Sequence, residues 1–291
     1  MILYLHAIGF GLVTASILAL ASVGLTLQFG VTNYINFAYG ELLTFGAYFA
    51  WMFNVQLGWN IWLALLAAAV LCGVIAVILN ILILQPFVRR KSPLLFMLVV
   101  TFGLSIILSN VILAIWGPDF KRYKVPESSQ YNIGPFLFTI QQLIIIGIAV
   151  IVMLTIHMVL TYTKLGKAMR AMSDNTDLAS NCGINTGMIT NWTWLLSGVL
   201  GGLAGVVLAL NISSFQSAFG GDFLFVIFAA VILGGIGRPY GAMAGALVIG
   251  LVTEVSAALI NSSYKNDIAF VILILVLLLR PQGLFTSEGK V

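Results

Sequence analysis

Charge is what this sequence has least of. Asp, Glu, Lys and Arg make up 8% of the 291 residues and hydrophobic types 61%, whereas about a quarter of an ordinary soluble domain is charged. That leaves too little polar surface to cover an apolar core, which excludes a dissolved monomer and points to an integral membrane protein. Cysteine is also scarce. Cys72 falls inside a long apolar run and Cys182 in a polar segment, so their Cα atoms are expected to lie too far apart to bridge, and no disulfide framework is expected. The net charge of +4 is spread over short loops with no aromatic platform beside it, which argues against a nucleic-acid partner.

Catalytic signatures are missing as well. The chain contains no His-Glu-x-x-His and no Gly-x-Ser-x-Gly. Gly166-Lys167 is followed by alanine and lacks the upstream glycine of a Walker A loop, while Gly235-x-Gly237 runs on to Gly241 at the wrong spacing for a dinucleotide loop. No catalytic residues, metal ligands or cofactor are therefore expected, and any ATP hydrolysis is assigned to separate subunits. The amino end has no basic region before its apolar run, so the first span is expected to be retained rather than cleaved.

What the chain does have is long uncharged runs, over 7–40, 42–88, 92–118, 128–163 and 178–221. A helix needs about 20 residues to cross a bilayer and a barrel strand about 10, so helices are the solution. The spans predicted are 7–28, 34–55, 60–84, 94–116, 140–162 and 189–210. Residues 223–260 form two short helices around Gly237-Arg238-Pro239-Tyr240-Gly241, and a last helix covers 266–283. The fold class is all-α: a polytopic membrane bundle of about eight or nine transmembrane helices with a broken helix near 30–41, forming one transmembrane domain over 1–291 with no ATP-binding domain. The stripes Gly198-x-x-x-Gly202, Gly201-x-x-x-Gly205 and Gly241-x-x-x-Gly245 predict close helix packing.

Lysine and arginine predict the orientation. With the amino end outside, Arg89, Arg90, Lys91, Lys164, Lys167, Arg170, Arg238, Arg280 and Lys290 lie inside, against Lys121, Arg122, Lys124 and Lys265 outside. The mixed-charge loop 117–139 then faces outward, where a partner or a plain connection explains it equally well.

Ionisable groups at membrane depth are costly enough to be functional candidates by default. Glu41 follows Gln28, Gly30, Asn33, Asn36, Tyr39 and Gly40. Glycines beside amides suggest a broken helix whose ends could hold the carboxylate and ammonium of an amino acid, with Asn33, Asn36, Tyr39, Gly40 and Glu41 as the candidate substrate pathway. Mutual satisfaction of these groups between helices is the competing reading. Glu254 reads as a packing or interfacial residue.

The polar stretch Thr163–Gly187 interrupts the spans yet keeps a helix-forming pattern. Within it Asp177-Leu178-Ala179 and Gly183, followed by Ile184 and Asn185, reproduce the spacing acidic-x-Ala-x-x-x-Gly. This resembles the cytoplasmic coupling loop of ABC importer permeases: a short helix stopped by a glycine. Further stretches extend the resemblance: Asn36-Phe-Ala-Tyr-Gly-Glu-Leu42 with Gly46-Ala-Tyr48, Thr101-Phe-Gly-Leu-Ser-Ile-Ile-Leu108, Leu165-Gly-Lys-Ala-Met-Arg-Ala171, Leu233-Gly-Gly-Ile-Gly237 and Arg280-Pro-Gln-Gly-Leu284. Together they resemble the branched-chain amino acid ABC transporter permease family, in its shorter LivH-type form. Tyr39 departs from the family's usual histidine or glutamine, and Ser173–Thr176 is more polar and less basic than expected.

The resemblance implies a multi-pass permease in a bacterial cytoplasmic membrane. Its expected partners are a second, LivM-like permease, two cytoplasmic ATP-binding subunits and an extracytoplasmic amino-acid-binding protein. Asp177, Ala179, Gly183, Ile184 and Asn185 would couple it to the ATPase. A permease for urea or short amides, or a stand-alone secondary carrier, are the alternatives.

Overall fold

The computed structural model describes residues 2–90, 92–126, 130–133, 136–259, 264–279 and Gly283. The sequence-read positions Lys91, Glu127–Ser129, Pro135, Lys290 and, apart from Gly283, the Arg280–Leu284 stretch lie outside them. The helices are α1 Ile2–Thr32, α2 Tyr39–Trp51, α3 Ile61–Leu79, α4 Gln85–Arg89, α5 Leu94–Trp116, α6 Ile140–Tyr162, α7 Lys164–Asp174, α8 Thr176–Asn181, α9 Thr186–Ile212, α10 Phe219–Gly234, α11 Pro239–Leu259 and α12 Lys265–Leu279. Among the described residues, 6 helices are long and apolar enough to cross a membrane. With the shorter α2, α10 and α12, this agrees with a polytopic bundle of eight or nine crossings and with the expected turn at Gly237-Arg238.

Three features depart from the sequence reading. The helices α2 and α3 each run on into a π-helical turn, Met52–Gln56 and Asn80–Leu84. The polar end of the run 128–163 folds as an antiparallel hairpin, β1 Gln130–Ile133 and β2 Phe136–Thr139. The hairpin hands over to α6 through a reciprocal cap: the Gln142 N–H donates to Thr139 Oγ1 (3.2 Å) and the Thr139 N–H to Gln142 Oε1 (3.0 Å).

Two compact units emerge. The first comprises Leu27–Val125 and Thr155–Leu224. Its centre is α9, laid against α2 and α3 through the glycine stripe. A Cβ on Gly198 would meet Ala76, Cys72 and Gly73, and one on Gly202 would meet Cys72 and Ala69. Gly46 approaches the Gly202 backbone and Gly205 the Leu43 backbone. Lipid gives helices no hydrophobic reason to associate, so such backbone approach and dispersion hold them together. The stripe read from sequence is therefore packing. Cys72, buried here, and Cys182, exposed, are both free thiols.

The same unit carries a docked strand of irregular chain. Lys121 and Phe215 exchange backbone hydrogen bonds (2.8 and 3.1 Å). The Tyr123 hydroxyl donates to Ala47 O (3.1 Å), and the Lys124 N–H donates to Asn54 Oδ1 (2.7 Å) while Asn54 Nδ2 donates to Trp59 O (2.9 Å). Phe215 is packed against Tyr48, Tyr123 and Phe219. The first part of the loop 117–139 is thus a fitted element.

The second unit comprises Met1–Thr26, Pro126–Leu154 and Phe225–Val291. Gly250 abuts Ala15, Gly245 abuts Ala230, and Gly234 and Gly241 face each other backbone to backbone. Glu254, expected to be a packing or interfacial residue, is part-buried and bonded at its carboxylate. It accepts from Thr14 Oγ1 and pairs with Lys265 at the start of α12.

Candidate functional site

The helix break opens where Asn33 takes φ +57°. Its N–H still reaches Phe29 O (2.7 Å), closing the last turn of α1, and asparagine tolerates this left-handed conformation better than most residues. The Asn33 side chain is exposed. Asn36 is 1% exposed and spans the gap. Its Nδ2 donates to Gln28 Oε1 (3.1 Å) on the last turns of α1, and its Oδ1 accepts the Ala38 N–H (3.0 Å) just before α2. One amide thus substitutes for the ladder bonds that the interrupted helix lacks. From α5, Thr101 Oγ1 donates to Ile35 O (3.2 Å).

Tyr39 and Gly40 begin α2. The Tyr39 ring covers Gly201, while Gly40 lies against the Gly220 carbonyl at the start of α10, so two short helices begin side by side. Glu41, in the first turn of α2, is 3% exposed. Ser105 Oγ donates to its Oε1 (3.2 Å), and the other oxygen, Oε2, is buried with no hydrogen-bond partner among the described residues. A carboxylate near a helix amino end is favoured by the local dipole, yet burying it half-paired remains costly. Asp222, in the first turn of α10, adds a second negative charge nearby.

The structure therefore gathers Asn36, Tyr39, Gly40 and Glu41 at the break and leaves Asn33 on its exposed side. It adds Ser105 and also Gly221, where a Cβ would stand 3.4 Å from Glu41 Oε1; sequence reasoning passed over both. The signal for Ser105 was a hydroxyl four residues after Thr101 on one face of an apolar helix.

The polar segment folds as two short helices. Thr163 caps α7, accepting the Gly166 N–H (3.1 Å), and α7 turns Met169 and Met172 inward. Asn175 caps α8, accepting the Leu178 N–H (2.9 Å). Asp177 is exposed in its first turn, and Ala179 is buried. Gly183 ends the turn at φ +84°, with its N–H on Ser180 O (3.0 Å) and the Ile184 N–H on Ala179 O (3.1 Å). No atom lies within 4 Å of where a Gly183 Cβ would sit, so conformation, not crowding, calls for glycine here. Asn185 then caps α9, accepting the Met188 N–H (3.1 Å). The result is an exposed knob, with Leu178 60% exposed at its tip, held at each end by a side-chain cap.

Comparison with known proteins bears on this arrangement. The family described as branched-chain amino acid transport system / permease component matches residues 7–277. The chain is 29% identical to the high-affinity branched-chain amino acid transport system permease protein LivH of Escherichia coli K12, over 94% of this chain and 92% of that one. It is 28% identical to the ribose import permease protein RbsC of the same organism, over 91% of this chain and 82% of that one. Among solved structures, PsaBC from Streptococcus pneumoniae in complex with Fab aligns with a TM-score of 0.52 at 13% identity, covering 95% of this chain and 93% of that one, which shows a shared fold. With nearly its whole length matched and its helices laid out as a polytopic bundle, the chain belongs to the family of branched-chain amino acid ABC transporter permease components.

Proposed function

We propose that this chain is one permease subunit of an ATP-driven importer for branched-chain amino acids, and that it forms the path together with a second, LivM-like permease. Two cytoplasmic ATP-binding subunits supply the energy and an extracytoplasmic binding protein delivers the solute. Residues 1–291 act as one permease domain in a bacterial cytoplasmic membrane, with the amino end outside and the 163–187 segment inside, in keeping with the lysine and arginine distribution.

The observation that carries the reading is the knob itself. Asp177, Ala179, Gly183, Ile184 and Asn185 belong to a capped turn, exposed at Asp177, Gly183 and Asn185 and anchored by the buried Ala179, that leads into α9, the helix on which α2 and α3 are packed. A pull on α8 reaches α9 through the short turn 182–185. ATP can drive the cycle only by favouring one arrangement of these helices over another. On the substrate side, Glu41 Oε2 is a buried carboxylate oxygen with capacity left for an ammonium group, while Asn36, Tyr39 and Gly40 hold the break that presents it, and Asn33 closes α1 on the exposed side of the break.

Reconstitution of the chain with the LivM-like permease, the ATP-binding subunits and the binding protein tests this. ATP-dependent leucine uptake should appear, be competed by valine and isoleucine, and be indifferent to urea and ribose. The resemblance to a ribose import permease makes the ribose arm informative. Competition by ribose or urea overturns the cargo, and leucine uptake by the chain alone overturns the ATP-driven mechanism. Labelling of the exposed Cys182 from outside intact cells overturns the orientation.

A further inference from the structure

Beside the knob, and within the first unit, lies a cavity of about 490 Å³ that shares only Asn185 with the coupling residues. Its walls come from four places: the end of α1, the stretch Asn80–Arg89, the junction of α7 and α8, and the start of α9. Two helix ends of opposite polarity meet in it. Thr186 and Gly187 are the first two residues of α9, whose opening N–H groups have no carbonyl one turn earlier in the helix; Asn185 caps the third, Met188. Val31 and Thr32 are the last two residues of α1, where carbonyls lack a following turn to accept from.

The side chains extend this polarity. Arg89 is the lone charged residue among the cavity's walls and makes no ion pair among the described residues. The Gln85 amide nitrogen lies 3.6 Å from where a Gly187 Cβ would sit, which places that amide beside the opening turn of α9. Val31, Val88 and Met172 supply apolar wall. A helix amino end with an arginine suits a carboxylate, a helix carboxyl end suits an ammonium, and the apolar patch suits an aliphatic side chain.

From this combination we infer that the cavity is a binding site for a free zwitterionic aliphatic α-amino acid, entered from the face that carries the knob. Arg89 and the opening N–H groups of α9 take the carboxylate, and the closing carbonyls of α1 take the ammonium. The site joins the two elements that the proposed cycle moves, the helix break and the α8–α9 junction, so an occupant there holds them in one arrangement. The inference rests on the proposed function for its cargo class, and it adds a place where accumulated product restrains its own import.

Equilibrium binding to the full chain in lipid nanodiscs is the test, with leucine, leucinamide, 4-methylpentanoate and inorganic phosphate as probes. Leucine is expected to bind, both single-charge analogues at least tenfold more weakly, and phosphate not to displace it. Arg89→Gln should weaken leucine at least tenfold, and Val88→Trp, which fills the cavity from a half-exposed position, should abolish binding. Equal affinity for 4-methylpentanoate, displacement by phosphate, or unchanged binding in both variants overturns the site. In proteoliposomes holding the complete importer, leucine added on the knob side should slow leucine uptake at least threefold in wild type and less than 1.5-fold in Val88→Trp. Equal slowing in the two overturns the site's role. Absence of leucine uptake altogether fails the cargo reading instead, and the nanodisc result still reports on the site.

Discussion

Gly40 and Gly220 meet backbone to backbone where α2 and α10 begin: a Cβ on Gly40 would stand 2.8 Å from the Gly220 carbonyl oxygen. A methyl group cannot enter there unless two helix ends separate, since backbone yields less readily than a flexible side chain. Gly40→Ala and Gly220→Ala are each expected to cost about 1–3 kcal/mol, read as a lowered unfolding midpoint in detergent. Gly221 is the control: its Cβ would make ordinary 3.4 Å contact with Glu41 Oε1. Gly221→Ala should leave the midpoint within about 0.5 kcal/mol of wild type.

The turn at Gly183 behaves differently because space is open and only the backbone is constrained. Gly183→Ala should strain the turn by about 1–2 kcal/mol. Gly183→Asn should restore most of this, since asparagine visits the left-handed region more readily. Gly183→Pro removes both the conformation and the N–H bonded to Ser180 O, so α8 can no longer stop where it does. All three variants should insert normally. Copurification of the ATP-binding subunits should fall more than tenfold in the proline variant and little in the asparagine one. Equal recovery of those subunits with the proline variant would count against coupling through α8.

How far the sequence disclosed these features depended on whether a physical requirement left a mark in residue type. The break expected near 30–41 rests on glycines beside amides, and the amides carry it: Asn33 takes the positive φ and Asn36 replaces lost ladder bonds, while Gly30 and Gly40 lie within helices. The caps of α7, α8 and α9 fall on Thr163, Asn175 and Asn185, residue types suited to accept a backbone N–H, but the sequence reading does not single them out as caps. By contrast, the π turns Met52–Gln56 and Asn80–Leu84 contain one extra residue in an otherwise apolar helix, and nothing in composition announces an insertion. The hairpin escaped notice because 117–139 reads as a loop, and the short strands Gln130–Ile133 and Phe136–Thr139 offer only four residues each in which to show an alternating pattern. Pairings distant in sequence, Asn80 Nδ2 donating to Asn191 Oδ1 (2.8 Å) or Ser105 to Glu41, required the fold.

Glu254 supplies a sharper contrast. It accepts from Thr14 on α1 and pairs with Lys265 on α12, tying three helices of the second unit to one carboxylate, with about a sixth of the glutamate side chain and a third of the lysine exposed (16% and 33%). Removing the lysine alone strands a largely buried charge, whereas removing both leaves little to repair. Lys265→Met is therefore expected to cost about 1–2 kcal/mol, discounted for the lysine's solvent access. Adding Glu254→Gln to it should recover part of that loss, because the glutamine can still accept from Thr14. A double-mutant cycle on unfolding midpoints measures the coupling; simple additivity would show that the pair contributes nothing.

Asn54 reaches in two directions at once, receiving the Lys124 N–H and donating to Trp59 O, and it is 4% exposed. Its amide is the buried end of the attachment that holds 121–125 against the body of the first unit. Asn54→Ala leaves a backbone donor and a backbone acceptor without partners, each worth about 1–3 kcal/mol if they stay buried. The chain can escape part of that penalty by letting the strand lift into water, which exposes Lys121, Arg122 and Lys124 as an extended segment. Trypsin added to right-side-out vesicles should therefore cut the variant after these residues at least tenfold faster than wild type, while Asn54→Asp, which keeps the acceptor for Lys124, should fall between. Lys121 also sits 5.2 Å over the Trp51 ring, so Trp51→Ala should accelerate cleavage at Lys121 more than at Lys124. If Asn54→Ala is cut no faster than wild type, the backbone pairing of Lys121 with Phe215 holds the strand without the buried amide.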